Sequence, residues 1–161
     1  MGEKSKDMII KIQSLLEEKK AALEEIYELT LGQKNDIENN EGENLHGFID
    51  KKQVEIDKIK KIDEDFEEAA KLLKKELQIE SFESISVADY PEFKNIKDLI
   101  TDIMDLARSI MELEEQNKIK VQNLIDDIKK DIKMVNSGQK FLKAYDKPNI
   151  NISGIYIDSK K

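Results

Sequence analysis

Apolar residues recur at helical spacing along the first part of the chain. Between about residues 7 and 37 they form columns that repeat every seven residues, and the longest column consists of Ile9, Leu16, Leu23, Thr30 and Ile37. Three such columns make a stripe wide enough to contact more than one neighbouring helix. The opposite face carries mainly Glu and Lys. The pattern therefore predicts an amphipathic helix over about 7–37.

A second helical stripe follows over about 44–77, after the turn-forming cluster Asn39-Asn40-Glu41-Gly42. Two helical patterns separated by such a cluster predict a helical hairpin. Polar residues interrupt the apolar stripes of the helices, and we hypothesise that they form a layer that fixes the register between helices. These residues are Thr30, Gln33, Lys52 and Asn117.

The third helical pattern is the longest and is predicted over about 91–144. The Ser-rich segment before it predicts a loop held against the hairpin by Phe82, Ile85 and Val87, and Pro91 suits the first turn of a helix. At 1.5 Å per residue the third helix would span roughly 80 Å, against roughly 50 Å for the second. Residues beyond about Ile125 are therefore expected to pass the hairpin and leave apolar side chains uncovered. These are Ile128, Ile132, Val135 and Leu142.

The expected fold class is all-α: an elongated antiparallel three-helix bundle or coiled coil, forming one domain over 1–161, with a long C-terminal helix and a short apolar tail at 146–161. Pro148 and Gly154 exclude a continuous helix in the tail. Its apolar residues fit either a short strand packed on the bundle or a docking segment for a partner. They are Ile150, Ile152, Ile155, Tyr156 and Ile157.

Charge and composition narrow the possible partners. The chain has 27 Lys and Arg against 35 Asp and Glu, and the two signs alternate along the helix faces. Nucleic acid is therefore not an expected partner, because phosphate binding needs clustered cations. No run approaches the roughly 18 apolar residues of a membrane span, and the N-terminal residues lack a signal-peptide pattern. A cytoplasmic location without membrane insertion is expected.

The sequence offers no recognisable catalytic site. It contains no Cys and a single histidine, His46, and its glycines are isolated rather than grouped in a phosphate-binding loop. We expect no enzyme activity, no metal site and no cofactor. A binding surface remains, and its occupant is either an amphipathic helix of a partner or a second copy of the chain, which would give a homodimer.

Several segments, in this order, resemble the FlgN family of flagellar export chaperones. They are Leu29-Thr-Leu-Gly-Gln33, Leu45, Lys51-Lys52-Gln53, Ile56, Ile59, Leu113-Glu-Glu-Gln-Asn117 and Gly154-Ile-Tyr-Ile-Asp158. The resemblance covers most of the chain and rests on the order of the segments, since no single motif is specific.

The resemblance implies a cytoplasmic chaperone that binds hook–filament junction proteins and delivers them to the flagellar type III export gate. It places the client surface on the long third helix, at Val121, Leu124, Ile125, Ile128, Ile132, Val135 and Leu142. It centres the export-gate contact on Tyr156 with Ile155 and Ile157, and Tyr145 is the competing candidate. The alternative function is that of a structural coiled-coil scaffold that acts by self-association.

Overall fold

Three long α-helices dominate this computed structural model, which describes residues 2–137. They are α1 (Glu3–Asn40), α2 (Leu45–Leu77) and α3 (Lys94–Ser137), with short 3₁₀ turns at Phe82–Ser84 and Pro91–Phe93. The residues described contain no strand. The predicted all-α class is confirmed, whereas the apolar tail at 146–161 and the expected continuation of α3 to 144 lie outside the described residues.

The helix bounds differ most from prediction at the first helix. α1 begins at Glu3 and ends at Asn40, whereas the pattern predicted about 7–37. Its first turn packs on the rest of the chain, since Ser5 is buried and the Nζ of Lys4 lies 3.9 Å from a carboxylate oxygen of Glu76. The helix thus begins four residues before the start of the apolar pattern. Both bounds of α2 agree with prediction to within a residue.

The described residues form two compact units. The first contains Lys52–Ser109 and the described part of Met1–Glu28, and the second contains Leu29–Lys51 and the described residues from Ile110 onward. In the first unit α2 runs antiparallel to α1, because Lys4 pairs with Glu76 and Lys19 pairs with Asp63. Its core is apolar, and the side chains of Ile12, Leu73, Phe93 and Ile96 are completely buried.

The segment between α2 and α3 is held on this core by aromatic residues. The ring centroid of Phe93 lies 5.6 Å from that of Phe82 and 6.3 Å from that of Tyr90. Ile85 is buried in the same cluster, and the Nζ of Lys74 lies 5.2 Å from the ring centroid of Phe82. The predicted packing of Phe82 and Ile85 against the hairpin is confirmed.

A residue with positive φ ends α2. Gln78 has φ 56°, its N–H donates to the carbonyl of Lys75, and the N–H of Ile79 donates to the carbonyl of Lys74. This is a Schellman C-cap, in which the left-handed residue is usually glycine because a Cβ is unfavourable there.

We expect Gln78→Gly to raise the free energy of unfolding by about 1 kcal/mol, because the left-handed backbone no longer strains a side chain. Urea denaturation followed by circular dichroism measures the change. Glu76→Gly, two residues earlier and inside the helix, is the control and should instead destabilise by about 1 kcal/mol. A loss of stability in Gln78→Gly would contradict the assignment of strain to this cap.

In the second unit, α3 runs parallel to α1. Asn117 contacts Thr30 and, further along both helices, Lys120 pairs with Glu38. The predicted turn between α1 and α2 is confirmed, with positive φ at Glu41 and Gly42.

Gly32 lies inside α1, where its missing side chain admits a neighbour from α2. A Cβ at this position would overlap the ring of Phe48. The glycine therefore lets the Phe48 ring lie directly on the α1 backbone.

Candidate functional site

The interior of the second unit contains several polar side chains. Thr30 and Gln33 on α1 and Asn117 on α3 are all buried. The Nδ2 of Asn117 donates to the carbonyl oxygen of Thr30 at 3.1 Å, while its Oδ1 is buried without a hydrogen-bond partner. The structure thus brings together two members of the hypothesised polar layer. Lys52, the fourth member of the hypothesised layer, is also buried and belongs to the first unit.

Asp36 is a further buried polar residue, and it ties the end of α1 to the start of α2. Its carboxylate accepts hydrogen bonds from the backbone N–H of Asn44 at 3.0 Å and from the Nδ2 of Asn44 at 2.9 Å. A longer contact of 3.4 Å joins it to the Nδ2 of Asn40. Since Asn44 directly precedes α2, the carboxylate fixes the turn from both sides.

Asp36 was not among the residues predicted to be functional, although the sequence contains a signal for it. Seven-residue spacing carries the column Met8, Leu15, Ala22 and Leu29 forward to this aspartate. An acidic residue in an apolar column indicates a buried carboxylate that accepts hydrogen bonds.

Replacing Asp36 by Asn is expected to lower the free energy of unfolding by about 2–3 kcal/mol. The asparagine amide offers no charge-assisted acceptor, so the backbone N–H and the Nδ2 of Asn44 are left poorly paired. Urea denaturation measures the effect. The matched control is Asp102→Asn, which makes the same chemical change in the exposed ion pair with Lys20 and should cost less than about 1 kcal/mol. Equal effects of both substitutions would contradict a specific role for Asp36.

Beyond the polar residues lies a small apolar cluster. It contains the buried residues Ile37 of α1 and Val121 and Ile125 of α3, with the partly buried Leu45 at the start of α2 packed against them. These contacts join the C-terminal turn of α1 to the middle of α3.

An exposed ion pair between Lys120 and Glu38 lies beside this cluster. The hydrogen bond from the Lys120 ammonium, aided by its charge, lowers the pKa of the Glu38 carboxyl. Because this pKa is lower in the folded chain than in the unfolded one, the ion pair stabilises the folded chain at pH values above the ordinary carboxyl pKa. This stabilisation is lost as the pH falls through the lowered pKa. The pair therefore bridges α1 and α3 at neutral pH.

The predicted client surface divides into a buried part and a half-buried part. Val121 and Ile125 are only 3% and 5% exposed, because the chain's own Ile37 and Leu45 cover them. The remaining described members are half-buried and follow one face of α3, namely Leu124, Ile128, Ile132 and Val135. Leu142 and the predicted gate residues Ile155, Tyr156 and Ile157, with the competing Tyr145, lie outside the described residues.

The change from buried to half-buried side chains falls at the position that helix length predicted. Ile125 is the last buried residue of α3 in the region that the structure describes. The residues after it were expected to be uncovered, but Ile128, Ile132 and Val135 retain partial burial. Neighbours one turn away on the same helix shield part of each side chain. The result is a line of apolar residues that a partner could cover more fully.

Other faces of the second unit also expose apolar side chains. On α3, Met111 is 66%, Ile119 53% and Met134 72% exposed. The single histidine, His46, is exposed on α2.

Across residues 2–137, the acidic and histidine side chains form no group that could hold a metal ion. No helix in this part of the chain is apolar over a long enough stretch to span a membrane.

A comparison with known protein families gives a match. The family model described as FlgN protein matches residues 8–149, which is most of the chain. No curated protein and no solved structure matches.

Proposed function

The chain belongs to the FlgN family, whose members are flagellar export chaperones, and from this membership we propose that it binds hook–filament junction proteins in the cytoplasm. It then delivers them to the flagellar type III export gate. Its role in this process is to hold a client, so it needs neither a catalytic residue nor a cofactor.

We assign client binding to the half-buried apolar line on α3. The observation that carries this assignment is the spacing of Leu124, Ile128, Ile132 and Val135, which places four apolar side chains along one helix face without full burial. A client helix with apolar residues at matching spacing would bury these side chains further. Burial of each removes apolar area from water, at about 25 cal/mol per Å².

The flanking charges of α3 suit a helical client. Acidic and basic residues alternate beside the apolar line, from Asp126 and Asp127 through Lys129 and Lys130. Mixed charges at the edge of an apolar line favour a partner helix with complementary charges and disfavour a uniformly charged ligand such as nucleic acid.

Delivery to the gate is assigned to the C-terminal segment, centred on Tyr156 with Ile155 and Ile157. The basis of this assignment is the resemblance of Gly154-Ile-Tyr-Ile-Asp158 to the family pattern. Substitution of Tyr156 by Ala should weaken binding to the cytoplasmic part of the export gate while junction-protein binding is retained. The same substitution at Tyr145 is the matched control.

Isothermal titration of the purified chain with the hook–filament junction proteins of the same organism tests the proposed function. We expect saturable binding with a negative change in heat capacity, since apolar area is buried. The absence of binding to any junction protein would overturn the proposed client class.

A second candidate function is self-association of the chain as a scaffold. The half-buried Ile128 and Ile132 on α3 favour it, because an identical chain carries the same residues and could cover them. Light scattering at low and high concentration distinguishes the two functions. A dimer that persists when the junction protein is offered would favour the scaffold, whereas replacement of the dimer by a complex with the client would favour the chaperone.

A further inference from the structure

The apolar cluster of the second unit lies at the end of an interrupted core. Along α3, Asn117 separates the buried Leu113 from Val121, and along α1, Gln33 separates Leu29 from Ile37. The contacts of Ile37 with Val121 and Ile125 therefore continue past a polar layer rather than extending an unbroken apolar interior.

This arrangement makes the cluster easier to open than the core of the first unit. Among the described residues its buried members are few, whereas the first unit buries large side chains of all three helices around Phe93. The polar layer also contains the Oδ1 atom of Asn117, which is buried without a hydrogen bond. When this region opens, water can donate a hydrogen bond to that atom, which lowers the free-energy cost of opening. Regions with few buried apolar contacts open locally at low free-energy cost.

Val121 and Ile125 also continue the apolar line of the proposed client surface. Successive steps of four, three, four and three residues lead from Val121 through Ile125, Ile128 and Ile132 to Val135. This is the spacing with which one helix packs along another. The chain's own Ile37 covers the first two positions, and the last three are half-buried. A client helix long enough to follow the whole line would meet Ile37 and Leu45.

We propose that Ile37 and Leu45 form a displaceable cover over Val121 and Ile125, and that a client helix replaces this cover when it binds. The inference rests on the proposed client surface on α3. The occupant is an amphipathic helix that presents apolar residues at alternating spacings of three and four, one of which takes the place of Ile37. The client then contacts the full line from Val121 to Val135.

Two exposed ion pairs allow a matched test, because each joins α1 to α3. Glu38 and Lys120 lie beside the cover, whereas Lys20 and Asp102 lie in the first unit. The chain has no cysteine, so each pair can be replaced and bridged selectively with a bismaleimide. The bridged Glu38→Cys/Lys120→Cys chain holds the cover closed. The bridged Lys20→Cys/Asp102→Cys chain is the control.

We expect the bridge beside the cover to weaken junction-protein binding at least about tenfold, measured by titration calorimetry, since only chains with the cover displaced bind the whole line. The bridged control, and both double variants with their thiols capped singly, should bind like the unmodified chain. If the chain bridged beside the cover binds as tightly as the bridged control and the unmodified chain, the proposal is overturned. An equal loss in both bridged chains would also overturn it, because the effect would then not depend on the cover.

Hydrogen exchange gives an independent readout on the unmodified chain. Binding of the junction protein should slow exchange over 121–135 and accelerate it over 34–40, where the cover has been displaced. Slower or unchanged exchange over 34–40 would overturn the cover even if the client binds. Failure of the unmodified chain to bind any junction protein would instead refute the proposed function. It would also refute the proposal of a displaceable cover, which depends on that function.

Discussion

Replacing Leu73 by Ala should lower the free energy of unfolding by about 3–5 kcal/mol. Leu73 is completely buried in the core of the first unit, in the same cluster as Ile12, Phe93 and Ile96. Truncation removes the transfer free energy of the side chain and leaves a cavity that the neighbouring residues fill only in part. Urea denaturation followed by far-UV circular dichroism measures the loss.

The adjacent residue provides the control for this substitution. Leu72 has the same side chain on the same helix but is 52% exposed, so Leu72→Ala should change stability by less than about 1 kcal/mol. A similar loss of unfolding free energy in both variants would contradict the orientation of α2, in which Leu73 faces the core and Leu72 faces water.

The double substitution Ile128→Asp/Ile132→Asp should weaken junction-protein binding by at least about 100-fold, or about 2.7 kcal/mol. Both side chains are half-buried and lie one turn apart on the proposed client surface. Each aspartate would place an unpaired carboxylate in an apolar contact once the client is bound. The free chain tolerates the change, because both positions retain contact with water, and circular dichroism should show unchanged helicity.

A matched variant on another face of α3 separates loss of the surface from a general effect of charge. Met111 and Ile119 are exposed apolar residues of the same helix, and Met111→Asp/Ile119→Asp adds the same two charges. This variant should bind junction proteins normally. Full binding by Ile128→Asp/Ile132→Asp, with helicity retained, would refute the assigned surface.

The helices could be predicted from the sequence because their apolar columns are long and regular. The turn at Glu41 and Gly42 could also be located, since its residues favour positive φ. The early start of α1 could not be predicted, because the residues before the apolar columns are polar and the burial of Ser5 is visible only in the folded chain. The apolar pattern of a helix indicates which face is buried. It does not identify the residues, distant in sequence, that pack against that face.

The same limit applies to the candidate site. Helix length predicted that burial would decline after Ile125, and the structure shows this decline. The sequence did not reveal that Ile37 covers Val121 and Ile125, because that contact depends on the register between α1 and α3. Nor did it single out Asp36, whose hydrogen bonds to Asn44 depend on the path of the turn.

The parallel pairing of α1 with α3 affects how the chain folds. The ion pairs Lys20–Asp102 and Glu38–Lys120 each join residues that are 82 positions apart in sequence. Contacts between such distant residues require closure of a long loop, whereas α1 and α2 are joined by a short turn and meet at little entropic cost. On a ribosome the α1–α2 hairpin can therefore form first and present an apolar face that only the later emergence of α3 covers. Until α3 has been synthesised, the apolar residues on this face stay in contact with water.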